Sequence, residues 1–423
     1  MNSFFAKVKT VFTDETLRKR VFFMLAALAL FRLLAAIPIP GVDVARLQEF
    51  FAQNQFFNLL NIFSGGGFSN LSIVMLGVGP YITASIIMQL LTVLSPQMKQ
   101  MYQEEGEAGR MKFTQWGRQL AVPLAFIQGF AFLALLQQQG VVAQLDFIHT
   151  FANVCMIAAG SLLLMWIGEL ITEFGIGNGV SLIIFAGIVS ALPATLSQLA
   201  VTFDVAQLPT YLGVAALALI TTAAVVFITE AERPVPIMYA RQSHGGATRG
   251  GNATYLPIRV NQAGVIPIIF ALSLLILPQM VAAVLSKLAP GAIAGGAQAV
   301  VNFLQQDLWY GIFYFVLVFI FTFFYTAVTF DPDKIAENLQ KSGGFIPGVR
   351  PGTATSAHLA HIITRTTFFG ALFLAVIAVL PIMLQAATGT EMLAVGGTAL
   401  LIVVSVVLDV IKKVDAQLSV REY

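Results

Sequence analysis

Two copies of one short pattern decide the fold: Gly77–Pro80 (GVGP) and Gly264–Pro267 (GVIP). Each copy opens an apolar run of helix length and places an isoleucine two residues after the proline, Ile82 in the first and Ile269 in the second. Matching elements so far apart along a chain predict a molecule built of two related halves. In membrane proteins, cargo usually passes between such repeats.

The composition is that of a membrane protein. Hydrophobic residues make up 57% of the 423 residues and charged residues only 10%, whereas soluble domains carry about 25% charged residues. The one cysteine, Cys155, has no partner in the chain, so no internal disulfide can form.

Hydropathy predicts an all-α polytopic membrane protein with ten transmembrane helices of about 20 residues each. The connections 139–149, 200–209 and 386–391 contain no Lys or Arg, and nearly all 23 basic residues fall on the other side. The positive-inside rule therefore places both termini in the cytoplasm. The predicted spans are 21–37, 72–94, 115–138, 150–170, 180–200, 210–229, 263–286, 308–329, 366–385 and 393–411.

Two predicted cytoplasmic connections, 230–262 and 330–365, are too long for simple turns. Their basic residues could serve only to fix the topology, but their length and their glycine- and proline-rich turns favour partner docking.

The segment 56–71 is apolar but too short to span a bilayer, and Gly65, Gly66 and Gly67 interrupt it. Irregular backbone at membrane depth persists only where it lines or fills a cavity within protein. The segment is therefore either a re-entrant helix hinged on the glycines or an amphipathic helix on the outer surface.

No catalytic, cofactor or metal motif occurs in the sequence. His358 and His361 have one-turn spacing, but no neighbouring cysteine or carboxylate completes a metal site. The ionisable residues Arg32, Glu169 and Asp409 lie near predicted span ends, so the mid-membrane charges of an ion-coupled carrier are missing. These patterns indicate that the protein is not an enzyme and needs no cofactor.

Motifs in the same order along nearly the whole chain resemble the SecY/Sec61 family of protein-conducting channels. The longest are Gly79–Ile86, Val260–Pro267 and Asn338–Gly352. Shorter ones are Ile37–Gly41, Phe63–Gly67, Ile87–Leu91, Glu104–Arg110, Gly175–Gly179, Phe323–Ala327 and Gly396–Ile402.

The resemblance implies two inverted five-helix halves, residues 1–200 and 201–423, around an hourglass pore. It implies a plug helix at about 57–70, which favours the re-entrant interpretation, and a lateral gate with polar residues Gln128 and Asn261. The implied pore ring is Ile82, Ile86, Ile188, Ile269 and Ile402, and the implied plug residues are Phe63, Ser64, Gly65, Gly66, Gly67 and Phe68.

The resemblance also implies SecE and SecG subunits, the SecA ATPase, the ribosome, membrane lipid and signal-sequence-bearing polypeptides as partners, without direct nucleic-acid specificity. The expected location is the bacterial plasma (inner) membrane. The implied docking residues are Arg350, Arg241, Arg365 and Lys341. Residues 230–235 lack the consecutive basic residues usual in the family, so docking is expected more at the second loop than at the first.

Two other functions remain open from the residues alone. An inverted-repeat solute or lipid transporter would share the symmetry but should have a polar site at mid-membrane. A non-conducting scaffold would use the long loops only to recruit partners.

Overall fold

The computed structural model describes residues 13–40, 67, 71–138, 140–142, 146–201, 208–239, 242–244, 247–249, 253–288, 295–296, 299, 303, 306–388 and 396–419. Long helices dominate this part of the chain, which confirms the predicted all-α membrane class. In chain order they are α1 Glu15–Ala35, α2 Gly79–Leu94, α3 Pro96–Gln103, α4 Gly106–Gln138, α5 Phe147–Phe174, α6 Gly179–Val201, α7 Leu208–Glu230, α8 Ile266–Leu288, α9 Asp307–Thr329, α10 Pro332–Lys341, α11 Thr353–Thr388 and α12 Gly396–Ser419.

Five helices within the described residues are long and apolar enough to cross a membrane. A sixth is added if α2 and α3, which meet at an angle of 110°, count as one bent pair. Pro96 explains the bend, because proline favours an extended preceding residue and the first turn of a new helix. The count of ten spans stays a prediction.

Both copies of the decisive pattern form the same local structure. Gly77 and Gly264 have φ angles of +56° and +61°, a left-handed conformation that glycine adopts without strain. A helix begins two residues after each glycine, and its fourth residue is Ile82 in α2 and Ile269 in α8. The predicted span 72–94 is helical only from Gly79 onward, because Ser72 forms an isolated bridge with Pro38 and residues 73–78 form turns.

Strands, which the sequence did not predict, occupy the two long connections. β1 (Glu232–Tyr239) lies between β4 (Ala253–Arg259) and β5 (Gly344–Phe345) in an antiparallel sheet, while β2 (Gln242–His244) and β3 (Ala247–Arg249) form a separate hairpin. Because β5 comes from the second connection, the sheet joins both connections.

A separate hydrophobic core supports this sheet. Its buried residues come from β1, from β4, from the residue after β5 and from the first turns of α11: Val235, Ile258, Ile346, Leu359, Ile362 and Ile363. The 36 residues of α11 span about 54 Å at 1.5 Å per residue, well beyond the ~30 Å of a bilayer core. The first turns of α11 precede the predicted span 366–385 and, with the sheet and α10, form what we call the platform.

Candidate functional site

Five isoleucines from four helices lie in one buried hydrophobic cluster. They are Ile82 and Ile86 of α2, Ile188 of α6, Ile269 of α8 and Ile402 of α12. None of them is more than 8% exposed. The helices pack in pairs, α2 against α8 and α6 against α12. In each pair, one helix begins before residue 200 and the other begins after it. We call these five residues the isoleucine cluster.

A cavity of about 610 Å³ lies beside the isoleucine cluster, and both Ile82 and Ile269 line it. Helices α2, α4, α5, α6, α8 and α9 contribute to its walls. A second cavity of about 300 Å³ lies against the start of α8 and the end of α12. The two cavities share four lining residues, Asn178, Ser181, Ile266 and Tyr325. We call the joined cavities the vestibule.

Ion pairs hold nearly all the charged side chains around the vestibule. On α4 and α5, Arg118 Nε lies 2.5 Å from Glu169 Oε1. Three more pairs surround the second cavity, with N–O distances of 3.3 Å for Arg259–Glu232, 2.8 Å for Lys412–Glu230 and 2.8 Å for Lys413–Asp409. Within the described residues, no three His, Cys, Asp or Glu side chains come together as a metal site.

The two polar residues assigned to the lateral gate make contacts near the seam rather than across it. Gln128 of α4 is buried, and its Nε2 donates to Thr83 Oγ1 of α2 at 3.3 Å. The Nδ2 of Asn261 donates to the carbonyl of Gly264 at 3.3 Å, which steadies the turn before α8. The seam itself is close by, because α8 packs against both α2 and α4.

The first glycine of each copy of the pattern, Gly77 or Gly264, accepts a side-chain hydrogen bond on its carbonyl oxygen. Ser161 Oγ of α5 donates to Gly77 O at 2.8 Å, and Asn261 supplies the corresponding bond to Gly264 O. A buried carbonyl in a turn needs a hydrogen-bond donor from outside the helix, and here a side chain supplies it. The two patterns therefore match in hydrogen bonding as well as in backbone.

Most of the predicted plug lies outside the described residues, namely Phe63, Ser64, Gly65, Gly66 and Phe68. Gly67 is described and buried, and its carbonyl accepts a hydrogen bond from Ser72 N at 2.9 Å. A Cβ on Gly67 would lie 3.0 Å from the carbonyl oxygen of Val74, so this position is tightly packed.

The platform exposes three of the four predicted docking residues, Arg350, Arg365 and Lys341. Arg350 stands in a turn between Gly348 and Gly352, whose φ angles are +81° and +97°. Its carbonyl accepts a hydrogen bond from Thr355 Oγ1 at 2.9 Å, which ties the turn to α11. Arg241 lies outside the described residues.

Sequence reasoning missed the partners of several charged residues. It placed Glu169 and Asp409 near span ends but did not identify Arg118 or Lys413 as their partners. The Asp409–Lys413 pair could have been found, because residues four apart face each other on a helix. The Arg118–Glu169 pair could not, since 51 residues separate its members.

Comparisons with known proteins find one family along most of the chain. The sequence model of the SecY family matches residues 72–411. "Protein translocase subunit SecY" of Thermus thermophilus is 44% identical over 96% of this chain and 94% of its own length. The protein of the same name from Corynebacterium glutamicum is 40% identical, with 97% of each chain covered.

Solved structures share the fold at low sequence identity. One described as "The structure of a protein conducting channel" has a TM-score of 0.64 at 20% identity and covers 95% of this chain and 93% of its own. Another, of Sec61 in the canine ribosome-channel complex from the endoplasmic reticulum, has a TM-score of 0.62 at the same identity and coverage.

Proposed function

This chain belongs to the SecY family, and we propose that the isoleucine cluster is the constriction through which it passes unfolded polypeptides. The protein is a protein-conducting channel subunit of a translocase and not an enzyme. One observation carries the proposal: the matching isoleucines Ile82 and Ile269 of the two patterns belong to the same buried hydrophobic cluster and both line the vestibule.

The chemistry of the isoleucine cluster suits this task. A narrow aliphatic constriction excludes water and therefore resists the passage of ions. Aliphatic side chains offer a passing polypeptide no charge and no hydrogen bond, so many different sequences can slide through without being held. A polar ring would leak ions and would bind its cargo.

The seam between α8 and the pair α2 and α4 is the proposed lateral gate, with Gln128 and Asn261 as its polar residues. A signal sequence has an apolar core of 7–15 residues, which favours lipid once the seam opens. The hydrogen bonds of Gln128 and Asn261 do not cross the seam, so the seam can open without breaking either of them.

The protein is a multi-pass membrane protein. We place it in the bacterial plasma membrane with both termini in the cytoplasm, because the basic residues gather on one side. Residues 1–200 and 201–423 form the proposed inverted halves, and residues 57–70 form the proposed plug that closes the outer side until cargo arrives.

A channel has no energy source of its own, so partners must drive transport. Family membership implies a translocon complex with other subunits, and one structural relative is described with a ribosome. We propose SecE and SecG as the other subunits, and SecA or the ribosome as the partner on the platform. The proposed docking residues are Arg350, Arg365, Lys341 and Arg241.

The alternative function, an inverted-repeat solute or lipid transporter, finds no support in the comparisons. The relatives with 38–44% identity carry the name of a protein translocase subunit. Arg118, Glu169 and Asp409 also lie within three residues of the ends of the predicted spans 115–138, 150–170 and 393–411, whereas a carrier needs a polar site at mid-membrane.

Reconstitution into liposomes tests the proposal. The protein is purified with SecE and SecG, and SecA, ATP and a radiolabelled secretory precursor are added outside. We expect the precursor to become protected from protease in an ATP-dependent manner. Vesicles with SecE and SecG alone serve as the control. A precursor that stays fully accessible to protease in both samples would contradict the proposed function.

A further inference from the structure

One face of α5 lines the vestibule with groups that suit a cation. Trp166, Glu169, Leu170 and Glu173 all line the larger cavity, and spacings of three, one and three residues place them on the same side of a helix. From Trp166 to Glu173 the face runs two turns, or about 10 Å. Arg118 pairs with Glu169, but nothing pairs with Glu173 among the residues that the structure describes.

Glu173 is unusual among the charged residues of the vestibule. In the described part of the chain, every other charged side chain that lines either cavity belongs to an ion pair. The Glu173 carboxylate is exposed and is the one unpaired charge among the described residues that line the vestibule. A negative charge attracts cations and repels anionic ligands.

An independent observation concerns Gln89 of α2, which also lines the larger cavity. Its Oε1 atom is buried and accepts no hydrogen bond from any described residue. A buried acceptor without a donor is costly. Rotation of the Gln89 amide would turn this oxygen toward the cavity, where a ligand that brings N–H groups would satisfy it. The Trp166 ring adds a π face, which attracts ammonium and guanidinium groups. Carboxylate, amide oxygen and indole all suit the same ligand, a lysine or arginine side chain.

The polypeptides that need this vestibule carry such side chains at a defined place. A signal sequence begins with a positively charged n-region, followed by an apolar core of 7–15 residues. As a helix the core is roughly 10–22 Å long. The vestibule is walled by α2, α4 and α8, so a core that follows an n-region held at α5 starts beside the seam between these helices.

We propose that Glu173, together with Trp166 and Gln89, forms a binding site for the cationic n-region of a signal sequence. The inference rests on the proposed function, because it needs a secretory polypeptide in the vestibule. The site holds the basic end of the signal at the predicted cytoplasmic ends of the helices while the apolar core enters the seam. It is thus a determinant of specificity and of signal orientation.

A charge-swap experiment tests the proposal in the reconstituted complex. Wild type, Glu173→Gln, Glu173→Lys and the control Glu105→Gln are compared; Glu105 is exposed and does not line the vestibule. Each variant receives one precursor in three forms, with a basic, a neutral or an acidic n-region. The initial rate of protease protection and the Kd of a fluorescent synthetic signal peptide are both measured.

For the basic precursor, we expect Glu173→Lys to lower the initial rate and the peptide affinity by about tenfold, the effect of losing one charge-assisted hydrogen bond. Glu173→Gln should have a smaller effect of the same sign, and Glu105→Gln none. The neutral precursor should not respond to any variant. The acidic precursor should move faster through Glu173→Lys than through wild type.

Three results would overturn the inference. In the first, Glu173→Lys slows the basic and neutral precursors equally, which would assign the site to a basic segment of a partner protein. In the second, the acidic precursor is not rescued. In the third, peptide affinity is the same in all four proteins. If the wild type moves no precursor while the peptide still binds with the expected charge preference, the proposed function fails and the cation site stands.

Discussion

Replacing Ile82 with asparagine should open the constriction. The side chain is 8% exposed in the isoleucine cluster, and in an open, hydrated pore it would face water. Losing the burial of isoleucine weakens the closed state by about 1.5–3 kcal/mol. Burying an amide without partners costs about 1–3 kcal/mol more. Together these effects shift the equilibrium by about 2.5–6 kcal/mol, which raises the open-to-closed ratio by roughly 60-fold or more, since ~1.4 kcal/mol is a factor of ten.

Ion conductance measures this shift directly. Purified complexes are fused to planar bilayers, and the open probability of Ile82→Asn is compared with that of wild type and of Ile82→Leu. Leucine keeps the volume and the apolar character, so it should leave the open probability nearly unchanged. If Ile82→Asn assembles normally and conducts no more than Ile82→Leu, Ile82 does not belong to a seal.

Other predictions follow from the same structure. Arg350→Glu should abolish SecA-driven translocation while the complex still assembles, and wild-type transport by this variant would remove Arg350 from the docking surface. Gly160→Leu should prevent stable folding, because even a Cβ there would meet the carbonyl of Ile73; a thermal unfolding curve like that of the wild type would contradict the helix contact. Gln128→Leu should leave the opening of the seam unchanged, because the Gln128 amide donates to Thr83 of α2 and not to α8. Opening is measured as the loss of disulfide formation between cysteines introduced into α4 and α8, and a faster loss in the variant than in the wild type would contradict this prediction.

The sequence predicted the helical part of the fold well, because long apolar runs have few alternatives in a membrane. The duplicated pattern also predicted that equivalent helices begin just after Gly77 and Gly264. Gly77 and Gly264 take the left-handed turn that only glycine adopts readily. These features are local, so periodicity and residue type suffice to find them.

The sheet of the platform could not be predicted from local pattern. Pro234 and Pro236 in β1 argue against a strand, yet β5 pairs only with Met238 and Tyr239, so the prolines do not interrupt that ladder. One of the two partner strands of β1, β5, comes from a connection about 100 residues away.

The candidate site was predicted in part. The isoleucine cluster came from a family resemblance, since single isoleucines in so apolar a chain carry no signal of their own. Trp166 and Glu173 were not identified, because a carboxylate near a span end normally reaches the interface. Glu173 differs from the other described charges of the vestibule in having no ion-pair partner, and this is visible only once the cavity lining is known.

Photo-crosslinking to a stalled polypeptide tests the central claim most directly. A photoreactive amino acid replaces Ile82, Ile188 or Ile402 in turn, and the exposed position Ile320 of α9 serves as the control. A secretory precursor is then halted midway by a folded C-terminal domain. The account predicts crosslinks from all three isoleucine positions to the halted chain and none from Ile320. Crosslinks from Ile320 alone, with none from the isoleucine cluster, would contradict it.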